Sequence, residues 1–218
     1  MKILYFLRAF NIGGAETFIY NTLRNIDHTI FHIDFVLQNK IICNERLLSL
    51  CKDMECNIYF ITPFEKNYLK SIAELSTILR NGGYNIIHIH ANALINMVPV
   101  IAANRCGVRI ALHSHNTHNN QGGIWGTLIH KFNRWYLRNR KILRFACSED
   151  AGKWMYRNKP CIVLNNAVNL NEYKYDYVAR QKIRQELNIE NDFVIGNVSR
   201  FVEAKNHTFM IDVFQEIL

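Results

Sequence analysis

Most of the chain repeats one pattern, in which a short, continuous apolar run precedes a longer segment with apolar residues at every third or fourth position. The first run, at residues 3–7, is typical of a strand covered on both faces. Apolar residues between Phe18 and Ile26 then predict an amphipathic helix. The alternation predicts further strands at 32–37, 57–61, 85–90, 108–112, 143–147 and 161–164, and helices at 44–54, 68–79, 94–105, 125–141 and 149–156. It predicts an α/β fold with a Rossmann-like, doubly wound parallel sheet.

The pattern changes after residue 165. The segment 166–191 is polar and contains a charged helix at about 178–187, so we interpret it as a linker. A second apolar strand at 193–198 and a helix from 206 to the last residue predict the first βα unit of another Rossmann-like domain. The predicted organisation is therefore an N-terminal domain at 1–165, the linker at 166–191 and the start of a C-terminal domain at 192–218. One βα unit cannot bury a core of its own.

Composition indicates a folded protein. Of 218 residues, 49% are hydrophobic, which supplies enough apolar surface for a sizeable core. The apolar run at the N-terminus is broken by Arg8, unlike a secretory signal, and the best membrane-spanning candidate, 94–103, is broken by Pro99. The six cysteines include no C-x-x-C pair, which predicts reduced core thiols and a cytoplasmic protein.

A glycine turn, Gly13-Gly14, lies between the first strand and the first helix. Glycine permits positive φ and lets a ligand approach the backbone, and the helix N-terminus favours an anion there. A plain strand-to-helix turn is the alternative. A dinucleotide site is disfavoured because the G-x-G-x-x-G motif is missing and the second strand runs into Gln38, Asn39 and Lys40 instead of an acid; a P-loop motif is also missing.

Several motifs, in order along the whole chain, resemble those of family-4 retaining glycosyltransferases of the GT-B type, particularly in bacterial exopolysaccharide and capsule synthesis. They are Gly13-Gly-Ala-Glu16, Ile86-Ile-His-Ile-His90, His113-Ser-His-Asn116, Ala146-Cys-Ser-Glu149, Val163-Leu-Asn-Asn-Ala-Val-Asn169 and Ile195-Gly-Asn-Val-Ser-Arg-Phe-Val-Glu-Ala-Lys-Asn-His207. The chain departs from the usual pattern at Ala167 and Asn169, where the family commonly has glycine and aspartate. The family's acidic E-x7-E segment does not occur before Leu218, so the chain lacks most of the C-terminal domain on this comparison.

The resemblance implies a nucleotide-sugar donor, bound as a substrate, and no cofactor. Its diphosphate would contact Gly13 and Gly14 from the first domain and Arg200 and Lys205 from the second. Fixed cations stabilise the negative charge that grows on a leaving diphosphate. An arginine and a lysine five residues apart are otherwise ordinary surface charges. We also expect Glu16 to contact the sugar or the acceptor, and the absence of D-x-D from the sequence predicts donor activation without a metal ion.

Histidines supply the expected catalytic group. The family carries a histidine that contacts the transferred sugar, which we assign to His115, with His113 as second choice; Asn116 and His90 are expected sugar or acceptor contacts. His88 and His90 alternate on a strand and so share a face, and one of them is expected to be structural. Zinc at His113, His115 and His118 is the competing hypothesis. It is disfavoured because no cysteine or carboxylate lies nearby in the sequence, so no metal is predicted.

The predicted helix at 125–141 combines aromatic and basic residues. An apolar stripe runs beside four cations, and no acidic residue occurs between Lys131 and Arg144. A solvated face on a packed helix is one interpretation, and docking to an anionic membrane surface is the other. Nucleic acid could use the same patch but suits the family resemblance less well. The stripe comprises Trp125, Leu128, Ile129, Phe132, Trp135 and Tyr136, and the four cations are Lys131, Arg134, Arg138 and Lys141.

These observations lead to one expected function and one alternative. We expect a transferase, peripheral at the inner face of the plasma membrane, that moves a sugar from a nucleotide diphosphate to a lipid-linked or growing saccharide with retention of configuration. The 218-residue chain alone is expected to be inactive, because groups from a second domain must be held in place for catalysis. The alternative is an inactive transferase fragment that serves as a ligand- or membrane-binding module.

Overall fold

The computed structural model describes residues 1–118 and 122–217, which divide into two compact units, Met1–Val168 and Asn169–Leu218. The first unit contains a seven-stranded sheet in the order β3-β2-β1-β4-β5-β6-β7. All neighbouring strands pair in parallel, as the alternating pattern predicts. The strands are β1 (Lys2–Leu7), β2 (His32–Leu37), β3 (Ile58–Phe60), β4 (Ile86–Ala91), β5 (Arg109–Ser114), β6 (Leu143–Ala146) and β7 (Ile162–Val163).

Helices connect the strands. They are α1 (Gly14–Asn25), α2 (Glu45–Asp53), α3 (Tyr68–Gly82), α4 (Val98–Cys106), α5 (Gly123–Leu137) and α6 (Glu149–Tyr156), followed in the second unit by α7 (Tyr177–Glu186) and α8 (His207–Ile217). Their ends follow local chemistry. Helix α3 ends at Gly83, whose φ of 64° is the left-handed conformation that glycine favours. Helix α6 begins at Ser148, whose hydroxyl accepts the Ala151 N–H at 3.2 Å.

The sheet is covered on both faces, which confirms the doubly wound α/β fold. One cluster of buried side chains joins alternate residues of β1 and β4, such as Phe6 and Ile87, to helices α3, α4 and α6. The other joins Tyr5 and Leu7 to helices α1 and α2. Because both faces are buried, the strands need continuous apolar runs, as residues 3–7 show. The strand order reverses direction between β1 and β4, and open α/β sheets bind ligands beyond the carboxyl ends of the strands at such a point.

Some element boundaries differ from the prediction. Helix α4 begins at Val98 instead of residue 94, because the N–H of Leu94 is bound to His130 and Pro99 suits a first helical turn. Helix α5 begins at Gly123 and ends at Leu137, four residues before the predicted end. The guanidinium of Arg144 donates to the carbonyl oxygens of Leu137, Arg138 and Arg140 and so adds hydrogen bonds where the helix ends.

The predicted strand at 193–198 is wrong. No strand occurs in the described part of the second unit, and Phe193 is 90% exposed. A strand needs a neighbour to satisfy its backbone N–H and C=O groups, and this segment has none within its own unit. Helix α8 confirms the predicted helix up to Ile217, and its predicted end at Leu218 lies outside the described residues.

The cysteines are unpaired, but only some are core residues. Cys51 is buried, whereas Cys43 is exposed, so the prediction of six core thiols is wrong for Cys43. None of the described helices is both long enough and apolar enough to cross a bilayer.

Candidate functional site

The glycine turn lies between β1 and α1. Its geometry differs from the expectation that glycine is needed here for positive φ. Gly13 has φ −173° and ψ 177°, which any residue can adopt, and Gly14 also lacks positive φ. What the two glycines provide is the absence of a Cβ atom beside the ends of two neighbouring side chains. A Cβ atom on Gly13 would lie 3.0 Å from Oε2 of Glu16, and one on Gly14 would lie 3.2 Å from Nδ2 of Asn166. The turn therefore keeps its backbone open to close approach.

The N-terminus of α1 has no side-chain cap, because Gly13 occupies the N-cap position. The first N–H groups of an uncapped helix and its dipole favour an anion beside them. Glu16, the predicted sugar or acceptor contact, lies buried in this first turn. Nδ2 of Asn21 donates to the carbonyl oxygen of Ala167 at 2.7 Å, which holds the segment after β7 against α1.

Asn166 is a site residue that the sequence did not single out. Its amide nitrogen lies beside Gly14 because the chain leaves β7 at the same edge of the sheet as it leaves β1. The only available signal was its place in the motif at 163–169, which follows a predicted strand. Side chains at the carboxyl ends of parallel strands converge, and that rule could have identified it.

Four histidine rings form a cluster on the face of the sheet that α1 covers, here called the histidine cluster: His88, His90, His113 and His115. His90 lies opposite His113 in the pairing of β4 with β5. The ring centroids of His88 and His90 are 4.3 Å apart, and those of His113 and His115 are 4.2 Å apart. Nδ1 of His90 and Nε2 of His115 form a hydrogen bond of 2.8 Å. The expectation that His88 and His90 share a face is confirmed.

Aromatic side chains surround the histidine cluster. The rings of Tyr5 and His88 meet edge to face at 4.9 Å, and Phe18 of α1 meets His113 in the same way at 4.8 Å. Phe145 of β6 lies 5.7 Å from His88. His113 is completely buried. Among the described residues, five buried ring nitrogens of the cluster have no hydrogen-bond partner: Nε2 of His88, Nε2 of His90, both nitrogens of His113 and Nδ1 of His115.

Burial keeps these imidazoles neutral. It lowers the pKa of His88 to about 3, that of His115 to about 3 and that of His113 to about 4, with the neighbouring imidazoles adding to the effect at His88 and His115. Burial likewise lowers the pKa of His90 well below its usual range. At neutral pH each ring therefore offers one N–H donor and one nitrogen lone pair.

The residues on either side of His115 have different surroundings. The hydroxyl of Ser114 donates to the carbonyl oxygen of Ala151 at 2.9 Å and ties β5 to α6. Asn116 is partly buried and accepts the N–H of Thr117 through Oδ1 at 2.9 Å. His118, which the zinc hypothesis included, is exposed and contacts Thr117 instead of the cluster. The structure thus places His88, and not His118, beside His113.

Helix α5 presents its apolar stripe to solvent. Trp125 is 77% exposed, Phe132 63% and Trp135 62%, and the other three members of the stripe are also exposed. The predicted cations Lys131, Arg138 and Lys141 are exposed. The exposed apolar stripe does not fit a solvated face on a packed helix, and docking to a membrane surface stays a prediction.

The inward face of α5 is polar, and we call it the polar seam: His130, Asn133 and Arg134. Nδ1 of His130 accepts the N–H of Leu94 at 3.0 Å, and its ring stacks on Trp154 at 4.1 Å. Nδ2 of Asn133 donates to the Leu94 carbonyl oxygen at 2.7 Å. Nη1 of Arg134 donates to the Trp154 carbonyl oxygen at 2.8 Å. Arg134 therefore anchors the helix through this bond, and its predicted part in membrane docking stays untested.

Arg200 and Lys205 belong to the second unit. Both side chains are exposed and lie in the segment before α8. A ring nitrogen of His207 donates to the carbonyl oxygen of Arg200 at 2.9 Å, and that ring stacks on Phe201 at 4.4 Å. These contacts fix the backbone near Arg200 while leaving its guanidinium exposed.

Comparison with known proteins finds similarity in sequence and in structure. No protein-family model matches the chain. A protein of Bacillus subtilis (strain 168) named "Putative glycosyltransferase EpsF" is 29% identical over 222 residues, covering 96% of this chain and 56% of that protein. The crystal structure of Anabaena Alr3699/HepE in complex with UDP aligns with a TM-score of 0.74 at 18% identity, covering 99% of this chain and 58% of that chain. A glycosyltransferase from Rickettsia africae ESF-5 aligns with a TM-score of 0.67 at 13% identity, covering 99% of this chain and 57% of that chain. The chain thus spans a little more than half the length of these proteins and shares the fold of the two solved structures.

Proposed function

We propose that the chain forms the acceptor-side part of a GT-B glycosyltransferase of the family-4 retaining type. It moves a sugar from a nucleotide-diphosphate donor onto a lipid-linked or growing saccharide in exopolysaccharide or capsule synthesis. The observation that carries the proposal is the similarity to EpsF, which extends over 96% of the chain. The geometry at the carboxyl edge of the sheet supports the same function.

The donor diphosphate is assigned to the N-terminus of α1. Gly13 and Gly14 leave the backbone open there, and the uncapped helix end favours negative charge. The crystal structure of the Anabaena protein is a complex with UDP, which agrees with a nucleotide donor. On the family resemblance alone, we assign the two cations that stabilise a leaving diphosphate to Arg200 and Lys205. No metal ion on the donor and no cofactor are needed for this arrangement.

The sugar is assigned to His115. Its Nδ1 is a buried nitrogen without a partner among the described residues, whereas Nε2 is held by His90. A neutral imidazole in this position can form a hydrogen bond with a sugar hydroxyl. His113 stacks beneath His115 and is completely buried, so its role is to support that ring. Glu16 and Asn116 flank the same edge and are assigned to sugar or acceptor contacts.

We assign the outward face of α5 to docking on the membrane that carries the acceptor. The outward face of α5 combines exposed aromatic and aliphatic side chains with exposed Lys131, and Arg138 and Lys141 are exposed just after the helix ends. Aromatic rings suit the interface, and cations attract anionic headgroups with about 1 kcal/mol for each basic residue. The apolar side chains of this patch favour a lipid surface over a nucleic acid, because a lipid surface suits a patch that is apolar as well as basic. The proposed location is the inner face of the plasma membrane.

The test requires the part of the relative that this chain does not span. We define the fusion protein as residues 1–218 joined to the corresponding remainder of EpsF. It is incubated with a panel of nucleotide sugars and with lipid-linked or saccharide acceptors, and released nucleoside diphosphate is measured. We expect acceptor-dependent release by the fusion protein and none by the 218-residue chain alone. A folded fusion protein that releases nothing with any donor would contradict the proposal.

The alternative is a binding module without catalysis. The observation that favours it is the exposed face of α5, which could dock the chain on membranes whatever its activity. The two functions differ in one measurement, because a binding module would bind anionic vesicles while the fusion protein released no nucleoside diphosphate.

A further inference from the structure

We propose that His88, His90 and His113 bind a divalent transition-metal ion, with zinc as the best fit. Each histidine offers one ring nitrogen, and the three nitrogens lie within 4.8 Å of one another. The ion is distinct from the donor and from its diphosphate, which the proposed transfer handles without a metal. It occupies the sheet face beneath α1 and joins β4 to β5.

The first argument for the metal site is the distance between the ring nitrogens. Tetrahedral zinc holds imidazole nitrogens at about 2.0–2.1 Å, which places the ligand atoms about 3.4 Å from one another. The present separations exceed that value by at most about 1.4 Å, a change that rotation of the side chains can supply. The pairing of His90 with His113 across β4 and β5 fixes two of the ligands on a rigid backbone. His88 lies two residues before His90 on the same face, and its ring is 5.6 Å from that of His113.

The second argument for the metal site is that several buried imidazole nitrogens lack a hydrogen-bond partner among the described residues. Nε2 of His88, Nε2 of His90 and both nitrogens of His113 are buried and lack a hydrogen-bond partner among the described residues. Buried polar atoms are rarely left without a partner, because the lost hydrogen bond destabilises the folded protein. A single metal ion satisfies one nitrogen on each of the three rings at once.

A neighbouring hydrogen bond prepares one ligand. Nδ1 of His90 lies 2.8 Å from Nε2 of His115, and when Nδ1 donates this bond the lone pair remains on Nε2 of His90. Histidines that bind metals commonly donate their other N–H in this way, which fixes both tautomer and ring orientation. The ion would thereby also position His115, since His90 connects the two.

The chemistry of the ligands selects the metal. Neutral imidazole suits zinc, copper, iron and nickel, whereas calcium and magnesium prefer oxygen. Three histidines leave one tetrahedral position of zinc free. Tyr5, Phe18 and Phe145 form an apolar wall around the rings and restrict access of bulk water.

The experiment uses the 218-residue chain with its purification tag removed and its thiols reduced. The protein is stripped with a chelator, dialysed against Zn²⁺ and then against metal-free buffer, and its metal content is measured by mass spectrometry. X-ray absorption at the zinc edge reports the ligand atoms, because nitrogen lies at about 2.0–2.1 Å and sulfur at about 2.3 Å. His88→Gln removes one ligand, and His118→Gln is the matched control because His118 lies outside the cluster and is exposed.

We expect one zinc per chain with three imidazole ligands and a higher melting temperature in the presence of zinc. His88→Gln should weaken binding about 100-fold or more, whereas His118→Gln should bind as wild type does. Three results would overturn the proposal: no zinc retained by the wild-type chain, sulfur among the ligands, or unchanged binding in His88→Gln. Should His88→Gln not fold, the wild-type stoichiometry and absorption spectrum decide the matter without it.

Discussion

Helices α1 and α5 carry similar apolar stripes in the sequence, yet the structure places them in opposite ways. In α1 the stripe faces the sheet, and Ile19 and Leu23 are fully or almost fully buried. In α5 the stripe faces solvent, with Phe132 and Trp135 among its most exposed members. Helical periodicity therefore predicts that a segment is a helix and groups its apolar residues, but it does not say which surface they meet.

The difference lies in the polar residues of α5. His130, Asn133 and Arg134 all point inward, and each bonds a backbone group of the Leu94 turn or of α6. An inward polar face is stable only when its groups have partners, and here they do. An outward apolar face of this size is typical of a surface that meets a partner or a membrane. The comparison therefore separates a stripe in α1 that stabilises the fold from a stripe in α5 that stays exposed.

The largest expected effect is on the free energy of unfolding, when the same leucine-to-alanine substitution is made in each of the two stripes. Leu23→Ala in α1 removes a buried side chain and should lower the free energy of unfolding by about 2–5 kcal/mol. Leu128→Ala in α5 removes the same atoms from an exposed site and should change it by less than about 0.5 kcal/mol. Urea unfolding of the two variants measures both values. A similar loss in both variants would show that the α5 stripe is buried in solution.

The polar seam gives a smaller effect that depends on pH. Burial, with smaller contributions from the nearby charges of Arg134 and Lys131, lowers the pKa of His130 to about 4, although its bond to the Trp154 carbonyl oxygen opposes these effects. The unfolded chain therefore binds a proton at higher pH than the folded chain, so stability is complete above about pH 6.5 and falls towards pH 4.

Replacement of His130 tests this dependence. Wild type should lose up to about 3 kcal/mol more stability than His130→Gln between about pH 7 and pH 4. Protonation at Nδ1 also breaks the bond from the Leu94 N–H, which gives the loss a structural cause. The measurement is urea unfolding of both proteins across that range, with the difference between them as the result. Equal slopes in the two proteins would mean that His130 does not hold α5 as a neutral ring.

The smallest expected effect for each substituted residue is on binding to anionic vesicles. Replacing Lys131, Arg138 and Lys141 with glutamine should weaken binding to anionic vesicles by up to about 3 kcal/mol, at about 1 kcal/mol for each charge, without changing the melting temperature. Arg134 is left in place because its guanidinium anchors α5. Wild-type binding should also weaken as salt rises. Vesicle sedimentation at low and high salt measures both.

A matched control removes the same charge elsewhere. Lys40, Lys52 and Lys66 are exposed and lie outside α5, so their replacement with glutamine should leave most of the binding intact. Equal losses in the two triple variants would indicate that net charge alone attracts the vesicles. Wild-type protein that ignores anionic vesicles and forms dimers in solution would assign the α5 face to a second copy of the chain.

Much of the fold could be predicted from the sequence because burial on both sides of a sheet produces continuous apolar strands, as at residues 3–7. The carboxyl edge could also be predicted, since strand order and chain direction bring the glycine turn and the histidines to it. Contacts between distant residues could not be predicted. The bond of His130 to Leu94, the place of Asn166 beside Gly14 and the approach of His88 to His113 each depend on packing of separate elements. The strand predicted at 193–198 fails for the same reason, because pairing requires a neighbour.

Transfer by a Gly14→Val variant of the fusion protein tests the central claim most directly. The new side chain would occupy the space where the donor diphosphate is assigned, and its Cβ atom would require Nδ2 of Asn166 to move by only a few tenths of an ångström. Thr17→Val introduces the same side chain at an exposed position of the same turn of α1; it removes the hydroxyl bond to the Gly13 carbonyl oxygen but adds no bulk at Gly14, and it serves as the control. We predict that Gly14→Val lowers the rate of nucleoside diphosphate release at least about 100-fold with an unchanged melting temperature, while Thr17→Val transfers at close to the wild-type rate. Wild-type turnover by Gly14→Val would contradict the account and reduce the glycine turn to a connection between a strand and a helix.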